Sequence, residues 1–158
     1  MGKEAFLVRP RFERGCRCFA VMIDGSIAGY GWLSTGPEWI GELQLEISPG
    51  PDEAYIWNCV TLAEHRRKGI FRALLSGIRE TATAEGMKRL WIGSVAIPAE
   101  KAVGPAGFRA VLRFNSMTVV GMHLLSITAV EPETSMAAFQ ALSTRARLLI
   151  RRSQSRRH

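Results

Sequence analysis

The chain has 158 residues, of which 47% are hydrophobic and 22% charged; that length and mixture favour one globular domain with a buried core and exclude a disordered or fibrous chain. No apolar run reaches the roughly 20 residues that a membrane-spanning helix needs, because the longest candidate, Ser116 to Val130, is shorter and carries His123. The net charge of +7 belongs to one end: residues 145–158 hold six arginines and no acid, while the rest has 15 basic and 14 acidic residues, so nucleic-acid binding is not expected of the body.

In chain order, the opening MGKEAFLVRP lacks the apolar centre of a secretory signal. Phe6 stands where a myristoylation signal has Ser or Thr, and a cytoplasmic protein is expected. Cys16, Cys18 and Cys59 are too few, and odd in number, for a disulfide framework. Cys16-x-Cys18 has no second ligand pair to complete a zinc site, so no metal is expected. Cys18 to Ile23 reads as a strand ending in the hairpin signal Asp24-Gly25, followed by a strand over Ser26 to Leu33. Glu42 to Ser48 alternates, with Leu43, Leu45 and Ile47 on one face and Glu42, Gln44 and Glu46 on the other. Pro49-Gly50-Pro51 stops it, and Ala54 to Leu62 is the next strand.

The period then changes. From Gly69 onward Ile70, Leu74, Leu75, Ile78 and Ala82 fall on one helical stripe, closed by Gly86 at a C-cap position. Leu90 to Val95 reads as a short strand and Pro98 to Val103 as a short helix stopped by Gly104-Pro105. Phe108 to Phe114 and Met117 to Val130 read as strands around Asn115-Ser116. After Pro132, the apolar residues Met136, Phe139, Leu142, Leu149 and Ile150 suggest an amphipathic C-terminal helix, whose stripe offers a homodimer contact. The order implies a mixed α/β (α+β) architecture around one central sheet. The domain is expected over 1–131, with the helix and basic tail over 132–158.

One segment carries chemistry. Between the strand at 54–62 and the helix after Gly69 lies Glu64-His65-Arg66-Arg67-Lys68-Gly69-Ile70-Phe71. A helix start offers unpaired N–H groups and partial positive charge, which suit a phosphate. Gly69 has no Cβ to keep a ligand off the backbone, and Arg66, Arg67, Lys68 and Arg72 add charge, so a diphosphate fits best. The spacing is neither that of a P-loop nor that of a dinucleotide fingerprint.

The segment Arg66-Arg67-Lys68-Gly69-Ile70-Phe71 resembles the coenzyme-A-binding motif of the GNAT N-acetyltransferases, Arg/Gln-x-x-Gly-x-Gly/Ala, with Phe71 replacing the last small residue. The resemblance implies a mostly antiparallel central sheet flanked by helices and the use of acetyl-CoA to acetylate an amine. It implies that Val60, Thr61 and Leu62 meet the pantetheine arm. It implies too that Arg66, Arg67, Lys68, Gly69, Ile70, Phe71 and Arg72 hold the pyrophosphate. A downstream pattern, Asn-x-x-Ala-x-x-Leu-Tyr-x-Lys-x-Gly-Phe, matches at Ala99 and Gly107-Phe108 but has Ala96 for the asparagine and Val103 for the tyrosine that commonly acts as acid.

The amine needs a base, for which Glu46 and Glu42 are the candidates, against an ordinary role as solvent-facing carboxylates. His65 reads as a packing residue, and a covalent acetyl-Cys59 lacks a histidine partner. Few residues precede Cys18, so the acceptor side is expected to be reduced or completed by a second subunit. Two alternatives stand beside the enzyme: a coenzyme A-binding module that is catalytically weak or inactive, and a nucleic-acid or anionic-surface binder using the arginine tail, which lacks the interleaved aromatics of a single-strand binder.

Overall fold

The structure, a computed structural model, describes residues 5–94, 102–119, 122–144 and 149–150. Its elements in chain order are α1 (Ala5–Glu13), β1 (Arg17–Ile23), β2 (Ser26–Ser34), β3 (Glu38–Ile40), β4 (Leu45–Ile47), β5 (Glu53–Thr61), α2 (Ile70–Ala84), β6 (Arg89–Ile92), β7 (Leu112–Val119), β8 (Met122–Ala129), α3 (Pro132–Ala141), β9 (Leu142–Thr144) and β10 (Leu149–Ile150). Contacts divide the chain into two units, Met1–Gly36 with Pro49–Phe108, and Pro37–Ser48 with Arg109–His158.

The first unit is a four-stranded sheet in the order β1-β2-β5-β6. Its first two pairings are antiparallel and the last, β5 with β6, is parallel. Asp24 and Gly25 both take positive φ, as the two-residue turn joining β1 and β2 requires. Helix α2 covers one face, and its buried residues are Ile70, Leu74, Leu75, Ile78 and Ala82, the stripe expected from the sequence. Leu74, Leu75 and Ile78 pack on Leu33, Ala54 and Ile56, with Phe19, Val21 and Cys59 at the margin.

The helix ends in a Schellman turn. Gly86 at φ +86° donates to the Thr83 carbonyl at 3.0 Å, and Met87 donates to Ala82 at 2.9 Å. The other face of the sheet carries Tyr30 and Trp32 with Cys16, Val8 and Trp57. Strand β2 is thus covered on both sides, which accounts for its burial from Ala28 to Ser34.

In the second unit β7 and β8 form an antiparallel hairpin, with β10 parallel to β8, and β3, β4 and β9 make a second three-stranded sheet. Leu45, Leu125 and Ile127 form its core with Phe139 of α3 and Leu142 of β9 against them. No helix among the described residues is long and apolar enough to cross a membrane.

Four expectations change. Helix α1 was not read at all: it contains Pro10 and shows no apolar stripe. The strand expected over Glu42 to Ser48 is confined to Leu45–Ile47, because Leu43 and Gln44 donate back to Ile40 and Gly41 in a turn from β3 to β4. Leu43 still packs on the core from within that turn, which is why the alternation looked continuous.

The hairpin of the second unit reverses between Val119 and Met122, and Asn115 and Ser116 sit mid-ladder opposite Ser126 and Leu125 with their side chains exposed. The C-terminal helix stops at Ala141. Its buried residues are small (Ser135, Ala138, Ala141), Met136 is 59% exposed, and Leu142 enters β9, paired with Ile47 of β4. The short helix expected over Pro98 to Val103 lies largely outside the described residues, as does the arginine tail beyond Ile150.

Candidate functional site

The site of interest is built where β5 leaves the sheet. Strand β5 pairs with β6 only from Glu53↔Arg89 to Ile56↔Ile92, yet it continues to Thr61. Beyond Ile56 the ladder has no β6 partner among the described residues. On its other edge β5 stays paired with β2, through Tyr30↔Val60 and Gly29↔Thr61.

The divergence begins at a β-bulge. Trp32 faces Trp57 and Tyr30 faces Val60, so Asn58 and Cys59 together stand opposite Gly31. Asn58 takes φ +45°, the left-handed conformation that asparagine tolerates better than most residues. Such a bulge bends its strand and ends regular pairing. The described pairing of the two parallel strands therefore ends there, and 57–61 has no strand partner on that edge among the described residues.

After Thr61, the Leu62 N–H donates to Ala28 at 3.0 Å and holds the chain to the end of β2. A single 3-10 turn, Ala63–His65, follows, and the Arg66 N–H donates to Ala63 at 3.3 Å. Arg67 and Gly69 then take φ +62° and +78°, which swing the chain into α2. The first intrahelical bond is from Ala73 to Gly69 at 3.0 Å. The N–H groups of the preceding turn therefore have no partner within the helix.

No acidic residue lies in that first turn, and Arg66, Arg67, Lys68 and Arg72 are exposed around it. A Cβ placed on Gly69 would meet nothing within 4 Å. Glycine is needed there for its φ, not to relieve a clash.

Glycines also bring the helix down to the strand. A Cβ on Gly29 would fall 2.9 Å from Cγ2 of Ile70 and 2.9 Å from the Val60 carbonyl oxygen. The lack of one lets the first turn of α2 sit directly on β2 beside the end of β5. Ile70 is buried as the anchor, and Phe71 packs against the core cluster of Leu33, Ile56 and Leu74. The aromatic side chain that departs from the resembled motif thus points into the protein.

The structure brings Val60, Thr61, Leu62 and Arg66 to Arg72 together as one strand end, loop and helix start. It does not do so for Glu42 and Glu46: both belong to the second unit, Glu42 exposed in the turn before β4 and Glu46 on β4. His65 is half-buried, and its Nδ1 has no hydrogen-bond partner.

Cys59 lies on the α2 face between Gly31 and Leu74, and burial pushes its thiol from the ordinary 9.0 up to about 12. That keeps it protonated near neutral pH, the form that is a poor nucleophile. Val103 packs against the α2-side core, so no proton donor occupies its position. Ala96 and Ala99 lie outside the described residues.

The four tryptophans divide. Trp32 and Trp57 wall the α1 face, Trp91 donates to Glu53 at 2.7 Å, and Trp39 is exposed. Sequence reasoning missed Arg11, which is buried over Trp32 and Trp57. No local pattern marks an arginine of an unrecognised helix as a partner for indoles more than 20 residues away. No group of residues suited to a metal ion occurs among the described residues.

No curated protein matches the sequence significantly. Solved structures do. A protein from Agrobacterium tumefaciens str. C58 described as an acetyltransferase superposes with a TM-score of 0.53 at 18% identity, over 75% of this chain and 79% of that one. An acetyltransferase of Trypanosoma brucei gives 0.50 at 20% identity over 73% and 75%. One from Pyrococcus furiosus gives 0.51 at 21% over 72% of each chain. At such identities the likeness is one of fold. Residues 3–104, about two thirds of the chain, match the family model of the Acetyltransferase (GNAT) family, and the chain belongs to that family.

Proposed function

We propose that the protein is an N-acetyltransferase that takes an acetyl group from acetyl-CoA and passes it to an amine. The observation that carries the reading is the open, acid-free, basic start of α2, set directly after a strand that outruns its parallel neighbour. The amides of the first turn and the exposed side chains of Arg66, Arg67, Lys68 and Arg72 suit a pyrophosphate. The edge of β5 over Val60 and Thr61, without a strand partner on the β6 side among the described residues, suits an extended chain carrying amide groups, as pantetheine does; Leu62 follows the strand with its N–H given to Ala28 and its carbonyl accepting from His65. A backbone N–H on the same edge is a reasonable donor to the oxyanion formed during transfer.

Transfer goes directly from thioester to amine, since Cys59 is protonated and turned toward α2. The amine must first lose a proton, and Glu46 and Glu42 remain the proposed bases. The departing thiolate takes its proton from water or from a residue other than Val103. That valine also supports a second reading, a coenzyme A-binding module without turnover. Release of free thiol with a panel of amines distinguishes the two.

The first experiment is calorimetric titration with acetyl-CoA on wild type, Gly69→Glu and Gly69→Asn. Wild type binds at about micromolar Kd. Gly69→Glu sets a carboxylate at the helix start and loses that binding, whereas Gly69→Asn, which tolerates positive φ, retains most of it. Wild type that does not bind acetyl-CoA removes the acetyltransferase reading. Gly69→Glu that binds as wild type moves the cofactor away from this loop.

A further inference from the structure

The guanidinium of Arg11 on α1 lies over two neighbouring indoles. Its Cζ lies 5.1 Å from the ring centroid of Trp32 and 4.5 Å from that of Trp57, and the two rings are 6.3 Å apart, inclined at 33°. Phe12, the next residue of α1, packs on Trp32 at 5.2 Å. Arg11 is only 5% exposed and Trp32 is fully buried. The Nε1 atoms of Trp32 and Trp57 are both buried without a hydrogen-bond partner. A buried, unsatisfied N–H is costly, and two of them would be poor choices for a mere apolar wall. Indole offers the strongest aromatic face for a cation, and that attraction grows as water is removed.

Trp57 immediately precedes the bulge. Asn58 holds a left-handed φ, a conformation that persists where its surroundings over-determine it. From the α2 face the bulge is fixed by Cys59, packed beneath Gly31 and Leu74. From the opposite face it is fixed by Trp57, held by Arg11 and Trp32. The bulge is also where β5 and β6 cease to pair.

Resting on the cofactor reading above, we propose that Arg11 is a positioning residue for acetyl-CoA. By clamping Trp57 against Trp32 it holds the Asn58–Cys59 bulge, and with it the open edge of β5, in the shape that receives the pantetheine arm. The phosphate loop, fixed by Gly29, Ile70 and Leu62, does not depend on this clamp. Arg11 therefore acts on one half of the ligand only.

That asymmetry is the test. Calorimetry compares acetyl-CoA with 3′-phosphoadenosine 5′-diphosphate, its pantetheine-free nucleotide half, on wild type, Arg11→Met and Arg11→Lys. The expected result is an acetyl-CoA Kd raised about tenfold in Arg11→Met, with the nucleotide half bound within about twofold of wild type and acetyl-CoA affinity largely restored in Arg11→Lys. Trp57→Phe, which keeps an aromatic face with a weaker hold on the cation, shifts the acetyl-CoA Kd in the same direction by about threefold and serves if Arg11→Met does not fold. Unchanged acetyl-CoA binding in the variants, an equal loss of both ligands, or an Arg11→Lys protein as weak as Arg11→Met overturns the role of Arg11 and leaves the cofactor reading standing. Wild type that binds neither ligand overturns the cofactor reading, and this inference with it.

Discussion

Gly31→Ala measures how closely the bulged strand and α2 define each other. A Cβ on residue 31 would fall 2.7 Å from Sγ of Cys59 and 3.2 Å from Cδ2 of Leu74. The leucine methyl is the end of a flexible side chain and can yield a few tenths of an ångström. The sulfur is bonded directly to Cβ, on a strand already pinned by the bulge, and can yield only by leaving its rotamer. Overpacking of this kind costs about 1–3 kcal/mol. Cys59→Ala alone removes one buried sulfur and costs about 1 kcal/mol. In the double variant the new methyl enters the space left by the sulfur. The two costs therefore do not add, and the cycle shows a coupling of about 1–2 kcal/mol. Urea denaturation of the four proteins reads this as midpoint shifts at constant slope. A neutral Gly31→Ala, or two costs that add within about 0.3 kcal/mol, would refute the packing argument.

Four further outcomes follow from the same sheet and helix. Ile78→Ala empties a fully buried position of α2 and should cost about 2–5 kcal/mol in urea denaturation. Gly86→Ala forces a Cβ onto the left-handed residue of the Schellman turn and should cost about 1 kcal/mol, whereas Lys88→Ala removes an exposed, solvent-screened ion pair with Asp52 and should leave the urea midpoint almost unchanged. The Cys59 thiol is raised from 9.0 to about 12 in the fold. Above pH 9 the unfolded chain therefore releases a proton that the folded chain keeps, and stability falls toward pH 12 by at most about 1.4 kcal/mol per pH unit. Cys59→Ala lacks that contribution, so its stability relative to wild type should rise across the window; a constant difference would refute the assigned pKa.

What the sequence disclosed and what it withheld divide along the range of the interactions concerned. The helix start at Gly69 was legible because it is encoded by contiguous residues. A stripe with period near 3.6 sets the face of α2, and one glycine, uncrowded by acids, sets its open end. The diphosphate reading needed only those features and the strand before them. Asn58 could be placed on the central strand but not faced. Its orientation follows from a register shift against β2 that is decided by Gly31, Cys59 and Leu74 together.

Helix α1 was illegible because it meets the sheet through Arg11 over two indoles from separate strands, with only Val8 and Phe12 beside it, which leaves no periodic apolar stripe in Ala5–Glu13. The C-terminal segment misled for the opposite reason. Its apolar residues do recur at near-helical spacing, but after Ala141 they are spent on strand pairings with Ile47 and Ile127, partners distant in sequence. The base of the proposed reaction falls in this second class. Whether Glu46 or Glu42 serves depends on long-range placement, not on local spacing. Measured turnover of Glu46→Gln and Glu42→Gln across a pH series therefore identifies it: loss of the rising acid limb in one variant names the base, and an unchanged profile in both removes the pair.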